Sequence, residues 1–330
     1  MNSFGRLFRI SIFGESHGEC VGITIDGCPA GLTLTPEDLL PDLERRKGGK
    51  QKGTTPRQED DYPIFKSGLF DGKTTGFPIT ILFENKNIRS EDYSKQRSIP
   101  RPGHADWVAH QKFGGNEDYR GGGHFSARLT AGIVAAGAIA KMLMKSITIH
   151  AEVTGIAGEK DLEKGLQKAI DAKDSVGGIV ECRVTGLPVG LGEPYFDSIE
   201  SVLAHIVFAI PAVRSVEFGT GFAAARMFGS EHNDAIMDMS GTTKTNHAGG
   251  VVGGITNGNE LVFRLAVKPT SSTPKEQRSL NWDTEQVEDF SIKGRHDLCV
   301  ALRAPVIVEA VTALVLADFM LLEQKIKRVL

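Results

Sequence analysis

The sequence predicts one α+β domain spanning residues 1–330. Strand-period and helix-period segments both recur along the chain, and its start reads as an antiparallel hairpin. No linker rich in Pro, Gly and Ser separates the two halves, although 330 residues could hold one large domain or two ordinary ones.

The elements follow in order. Phe8, Ile10 and Ile12 alternate with Leu7, Arg9 and Ser11, and Val21, Ile23 and Ile25 alternate before an Asp26-Gly27 turn. Thr35-Pro36-Glu37-Asp38 is a helix start with Thr35 as N-cap, and that helix should run to about Lys47, with Pro41 as a kink or later start. Residues 48–62 are polar and read as a long loop. Strands are expected near 64–70 and 77–83, separated by Asp71-Gly72. Residues 84–123 form a second polar stretch, and loops of that length inside a domain are usually functional or disordered. Helices are expected near 127–145, 160–173, 198–210 and 305–328, with strands near 147–153, 178–185, 213–218 and 260–267. Gly132 and Gly137 would let the first long helix pack closely against its neighbours.

Composition narrows the function classes. The 38 Lys and Arg against 41 Asp and Glu give a net charge of −3, which argues against a general nucleic-acid binder. Four cysteines without Cys-x-x-Cys spacing predict a reduced, cytoplasmic protein with no metal site. No signal peptide is visible. The apolar stretches Leu129 to Met144 and Val306 to Leu322 fall short of the ~20 apolar residues of a membrane span. The second also carries Glu309 and Asp318, so both read as buried helices.

The chemistry-bearing residues cluster in short motifs. Gly14-Glu15-Ser16-His17-Gly18 sets a hydroxyl and an imidazole on a tight turn, although an ordinary polar hairpin loop is an equal reading of that motif alone. Arg45-Arg46-Lys47, Lys50, Lys52 and Arg57 concentrate six cations in 13 residues, which is either a solvated loop or an anion site. Arg101-Pro102-Gly103-His104-Ala105-Asp106 holds a cation, an imidazole and a carboxylate on a stiffened backbone. Gly121-Gly122-Gly123-His124-Phe125-Ser126-Ala127-Arg128 leads directly into a helix, whose N-terminus offers free N–H groups to an anion; a simple N-cap role for Ser126 is compatible with that. Asn246-His247-Ala248-Gly249-Gly250 and Gly253-Gly254 form a second glycine-rich loop. Lys268-Pro269-Thr270-Ser271-Ser272 offers one cation and three hydroxyls on a turn that suits a phosphate. Gly294-Arg295-His296-Asp297 precedes the last helix. Gly219-x-Gly221-x-x-Ala224, with Asp238 downstream, is a weak form of the dinucleotide fingerprint without the surrounding parallel βαβ pattern.

Six of these motifs, in order and across almost the whole chain, resemble chorismate synthase: Gly14–Gly18, Arg101–Asp106, Ser126–Arg128, Asn246–Gly250, Lys268–Ser272 and Gly294–Asp297. The resemblance implies a sandwich with long helices packed between two four-stranded antiparallel sheets. It implies a lyase that makes chorismate from 5-enolpyruvylshikimate 3-phosphate by trans-1,4 elimination of phosphate, at the end of the shikimate pathway. The family requires reduced FMN (FMNH2) without net redox change, with NADPH as its direct or indirect reductant, and is typically a homotetramer; a separate flavin reductase is a further expected partner.

Carried over by motif, Arg46, Lys52, Arg101, Arg128 and Arg295 would bind substrate, and Arg46 and Lys52 would also meet NADP. His17 would protonate the departing phosphate and His104 the reduced flavin. Asp297 would relay a proton, while Ser16 and Ser126 would support these groups. Flavin contacts would come from His124, Phe125, Ser126, Ala212, Gly253, Lys268, Pro269, Thr270, Ser271, Ser272 and Arg295. Where the family usually shows Arg-Ser-Ser-Ala-Arg-Glu-Thr, this chain has His124-Phe125-Ser126-Ala127-Arg128-Leu129-Thr130. A permanent cation is thereby replaced by a titratable ring, so flavin affinity should depend on pH. Lys52 stands where arginine is common and lacks its bidentate fork. Two other readings remain open at this stage: a flavin- or nicotinamide-dependent oxidoreductase using the Gly219 loop, and a binding protein whose basic loop captures phosphorylated or nucleic ligands.

Overall fold

A computed structural model describes residues 1–49, 52–55, 59–86, 98–292, 296–327 and 329. The first half builds strands β1 (Ser3–Phe4), β2 (Arg9–Gly14) and β3 (Cys20–Asp26), then helix α1 (Leu40–Arg46) after a 3-10 turn over Pro36–Leu39. Strand β4 (Ile64–Ser67), a small hairpin of β5 (Leu69–Phe70) and β6 (Lys73–Thr74), and β7 (Ile79–Glu84) follow. Next come α2 (Asp106–Phe113), α3 (Thr130–Leu143), β8 (Thr148–Ile156), α4 (Leu162–Ala172), β9 (Gly178–Thr185) and α5 (Ile199–Val207). The chain then forms β10 (Val213–Phe218), the short α6 (Gly229–His232), the hairpin β11 (Val251–Val252) and β12 (Ile255–Thr256), and β13 (Leu261–Val267). A ribbon of β14 (Gln277–Asn281) and β15 (Gln286–Phe290) precedes the last helix, α7 (Ala304–Leu322).

Two antiparallel sheets enclose the two long helices. One has the order β1-β2-β3-β7-β4 and the other β10-β13-β9-β8. The first therefore has five strands where four were expected, because the two-residue β1 pairs Ser3 with Ser11 and Phe4 with Ile10. Helix α3 lies against the first sheet and α7 against the second, and the helices pack on one another. Two glycines set these approaches. A Cβ on Gly132 would stand 2.9 Å from the Cβ of Ile23 in β3, and one on Gly137 would stand 2.4 Å from Cα and Cβ of Ala310 in α7. Helix meets sheet through the first and helix meets helix through the second.

Helix α7 is apolar on nearly every face and is buried almost throughout. Among the described residues, Val300–Leu322 is the one helical stretch long and apolar enough to cross a membrane, and 83% of its apolar window is buried inside this fold. Its two carboxylates are fully engaged. Glu309 accepts from Arg45 at 2.6 and 2.7 Å, from Lys141 at 2.8 Å and from the amide of Ala151 at 3.1 Å. Burial pushes its carboxyl up, but these cations outweigh that and hold it below the usual glutamate range. Asp318 accepts from the amides of Arg6, Leu7 and Phe8 at 2.7–2.9 Å, tying the start of the chain to the last helix.

Several expectations need correction. Asp71 and Gly72 both have positive φ, 48° and 70°, and close the small β5–β6 hairpin rather than joining β4 to β7 directly. The polar stretch 84–123 contains α2, which buries only Ala109 and so leaves no apolar stripe to read. The β14–β15 ribbon gives no readable alternation either, since its residues are mostly polar and are half-exposed or exposed. Helix α7 stops at Leu322 rather than near 328, where the chain turns through Gln324 at φ 55°.

Gly137→Val should therefore cost about 1–3 kcal/mol or more through overpacking against Ala310. Gly229→Ala, in a helix with open space around it, should stay within about 0.5 kcal/mol of wild type or stabilise. Urea unfolding midpoints with an unchanged slope check both.

Candidate active site

Both long helices begin at one cleft of about 590 Å³, whose lining includes Thr130 and Ile133 of α3 and Val300 and Arg303 just before α7. The positive ends of two helix dipoles thus face the same space. Among the described residues, seven Lys and Arg side chains line it against three carboxylates, Glu59, Asp61 and Asp297. In a chain of net charge −3, that excess marks an anion site.

The cationic floor is organised by Asp61. This residue is 3% exposed and holds a left-handed φ of 52°. One carboxylate oxygen accepts from Arg46 at 2.5 Å and the other from Arg128. Arg128 also donates to Asn85 Oδ1 at 2.9 Å, and Arg46 to Thr130 Oγ1 at 3.4 Å. Burial raises the Asp61 carboxyl, yet the two guanidiniums hold it below the ordinary aspartate value.

A second cluster lies on the loop before α2. Asp106 accepts from Arg101 Nε at 2.7 Å and Nη2 at 2.8 Å, and His104 Nδ1 lies 2.5 Å from the same carboxylate. Burial pushes Asp106 up, but the bonds from Arg101 and His104 hold it well below the carboxylate range. Burial lowers the His104 pKa; Asp106 opposes this, while Arg101 and Lys268 add to it. The neutral imidazole therefore donates Nδ1–H to Asp106 and keeps Nε2 as its working nitrogen. Arg101 Nη1 reaches Ser272 Oγ at 3.1 Å, linking this loop to the turn after β13.

On that turn, Lys268 Nζ donates to Ser271 Oγ at 2.8 Å and to the Gly103 carbonyl at 2.9 Å. Pro269 and Thr270 complete the wall, and the Thr270 hydroxyl oxygen is buried without a hydrogen-bond partner. Ala212, at φ 73°, lies beside this turn and accepts from the Lys268 amide at 2.8 Å. His124 Nδ1 donates to the Gly14 carbonyl at 2.9 Å, and the Phe125 ring is exposed at the cleft. Ser126 caps the 3-10 turn that leads into α3, accepting from the amide of Arg128 at 3.2 Å. Ser16 and His17, both buried, sit directly behind Gly121 of the cleft wall, where a Cβ would come within 2.6 Å of His17 Nε2. Asp297 is anchored at both oxygens, by the Thr55 amide at 2.8 Å and by Arg303 Nη1 at 3.0 Å.

Not every expected residue converges. Lys52 is exposed, with Nζ 3.3 Å from Gln167 Oε1 on α4, and does not line the cleft. Gly253 sits at the tip of the β11–β12 hairpin with nothing within 4 Å of a Cβ there, away from the cleft lining. Arg295 and Gly294 lie outside the described residues, as do Lys50 and Arg57 of the basic run. The dinucleotide-like loop is accounted for otherwise. Gly219 packs against the backbone of His247 to Gly249, Gly221 against Glu217, and Asp238 accepts from the amides of Ser240 and Thr242 in its own turn. A 3-10 turn, not a long helix, follows β10.

Similarity to known proteins agrees with this geometry. The family model described as chorismate synthase matches residues 8–321. The chain belongs to the chorismate synthase family. The chorismate synthase of Chitinophaga pinensis is 68% identical over 330 residues, covering 100% of this chain and 99% of its own. Those of Dehalococcoides mccartyi strain BAV1 and Methanocaldococcus jannaschii are 46% and 41% identical, covering 100% and 97% of this chain and 99% and 96% of theirs. A crystal structure of a chorismate synthase matches with a TM-score of 0.73 at 27% identity, over 97% of this chain and 93% of that one. Membership makes the chain a carbon–oxygen lyase of aromatic amino-acid biosynthesis.

Within this chorismate synthase-family site, two charged residues escaped the sequence reading. Asp61 ends a polar loop in which nothing distinguishes it from Asp60, and Arg303 stands one residue before a helix whose first turn carries Pro305. Arg303 donates from Nε to the Arg46 carbonyl at 2.9 Å, so it braces a second cation as well as Asp297.

Asp61 and Asp106 both have depressed folded pKa values, so the stability they contribute is present above the unfolded aspartate value of about 3.9 and is lost as pH falls through their folded values. Unfolding free energy should thus drop steeply below about pH 4. Asp61→Asn, which tolerates left-handed φ, should cost about 3–5 kcal/mol at pH 7 by leaving two buried guanidiniums uncompensated, and should flatten that acid limb in pH-stepped urea titrations.

Proposed function

We propose that the chain converts 5-enolpyruvylshikimate 3-phosphate to chorismate by 1,4-elimination of phosphate, with reduced FMN as a recycled cofactor. The observation that carries this reading is the convergence of Arg46, Arg101, Arg128, Lys268 and His104 on one cleft with a cationic excess. A substrate with two carboxylates and a phosphate needs such an excess, and each charge-assisted hydrogen bond contributes roughly 1.5–3 kcal/mol.

The residues fit the cofactor. The unpartnered Thr270 hydroxyl, with Lys268 and Ser271 beside it, supplies donors for a phosphate. His124 to Ser126, Ala212 and the Lys268–Ser272 turn would hold FMN, which when bound supplies transient electron density to the substrate and recovers it. The chain's own groups move the protons. His104, once it carries a second proton at Nε2, would hand that proton to the reduced flavin, and burial beside Arg101 and Lys268 favours its return to the neutral ring. His17 protonates the phosphate oxygen as the C–O bond breaks. Asp297, fixed by Thr55 and Arg303, would help relay a proton away from the region of the flavin.

NADPH is the reductant in this reading, used directly or through a separate flavin reductase. The assembly is a cytoplasmic homotetramer. All four cysteines are free thiols, and the arm 219–245 exposes Phe222, Phe228, Ile236 and Met239, apolar surface that suits contact with further copies.

An anaerobic assay with this substrate and chemically reduced FMN tests the reading. Phosphate and chorismate should appear in equal amounts with flavin needed only catalytically; consumption of one flavin per turnover would refute it. His17→Ala and His104→Ala should each lower kcat by roughly 10²–10⁴-fold. His124→Arg, which puts a permanent cation at this position, should tighten flavin binding, as read from the flavin Kd.

A further inference from the structure

Behind His104 lies a second cavity of about 350 Å³. It shares His104, Ala105 and Phe125 with the substrate cleft, so the imidazole forms part of a wall between two spaces. With Nδ1 committed to Asp106 at 2.5 Å, Nε2 is the free edge of the ring. That edge lies over Gly122, whose missing Cβ would stand 3.4 Å from Nε2, and Gly122 belongs to the second cavity. With glycine there, no side chain stands between this edge of the ring and the rear space.

The far side of that space carries proton-exchanging groups. His110 Nδ1 lies 3.1 Å from Glu117 Oε1, and its ring stacks on Trp282 with centroids 4.7 Å apart and planes 13° from parallel. The other Glu117 oxygen, Oε2, is buried with no hydrogen-bond partner. A carboxylate oxygen in that state beside a polar cavity calls for water. The His110 side chain is 38% exposed and reaches bulk solvent. Asp118, Tyr119 and Asp283 also face this cavity, whereas Asp106, Arg101 and Lys268 surround His104 itself. Asp118 is raised by burial but held low by Arg120, so it remains a carboxylate.

We propose that the second cavity is a proton port, in which water links Nε2 of His104 to the Glu117–His110 pair and so to bulk solvent. It rests on the role given to His104 under the proposed function. A proton entering through Glu117 and water converts the neutral ring to imidazolium, and passing that proton forward restores the neutral ring. No electrons move, and nothing beyond solvent protons is consumed. The port lets His104 recharge from behind while ligands fill the front of the wall. Glu117 and His110 are positioning and relay residues, since neither touches the cleft.

The test uses the full-length enzyme with substrate and reduced FMN under anaerobic conditions, comparing wild type with Glu117→Gln and His110→Phe, the latter keeping a ring against Trp282. Protons are scarcest at high pH, so both variants should lose kcat progressively as pH rises, by roughly 10-fold or more at the alkaline end, with the substrate KM unchanged. Small buffers such as imidazole should restore the rate, and the solvent deuterium isotope effect on kcat should grow. A variant whose kcat and isotope effect match wild type at every pH overturns the port. So does a uniform loss at all pH values without buffer rescue, which is what a merely structural role would give. Should one variant fail to fold, as judged by its thermal midpoint, the other still decides. His104→Ala is run alongside: if it leaves kcat intact, the proposed role of His104 fails, whereas a large loss there with unaltered Glu117→Gln and His110→Phe profiles condemns the port alone.

Discussion

The backbone-to-backbone approach of α3 and α7 at Gly137 and Ala310 governs the rest of the architecture. Once the helices touch there, with Gly132 seated against Ile23 on the other side of α3, the spacing of the two sheets follows. Both helices also begin at the same end of the layer. Two positive dipole ends and the residues just before them, Arg128 and Arg303, are thereby delivered to one cleft. A core packed through small residues thus decides where anions are held.

Cations gathered this closely repel one another, and the site answers with carboxylates placed between them rather than with dispersion. Asp61 sits between Arg46 and Arg128, Asp106 between Arg101 and His104, and Asp297 beside Arg303. Each carboxylate uses both oxygens, so each guanidinium is fixed in direction without cancelling the excess charge. Preorganisation of this kind avoids rearrangement when an anion arrives. The left-handed backbone at Asp61 is the local strain that such placement requires.

Much of this was legible in the chain itself. The first hairpin, both long helices and the four strands of the second sheet could be read from periodicity, because each buries one face or all of itself. Helix α2 and the β14–β15 ribbon could not, since they bury little and their residues are chosen for the site and the surface instead. The motifs pointed to Arg46, Arg101, His104, Arg128, Lys268 and Asp297, whose glycine and proline neighbours mark them. Asp61 and Arg303 carried no such signature, because their importance comes from partners distant in sequence. Lys52 shows the reverse case: a cation in a suggestive run that the fold turns toward α4.

The clasp of Asp318 on the amides of Arg6, Leu7 and Phe8 spans more than three hundred residues of chain. On the ribosome, the first strands therefore wait until α7 has been made before they can be locked. At roughly 5–20 residues per second, the edge strand of the first sheet stays unsecured for most of synthesis. A first sheet fastened by α7 matures late and all at once, and its nascent form is correspondingly the stage at which chaperones have most to protect.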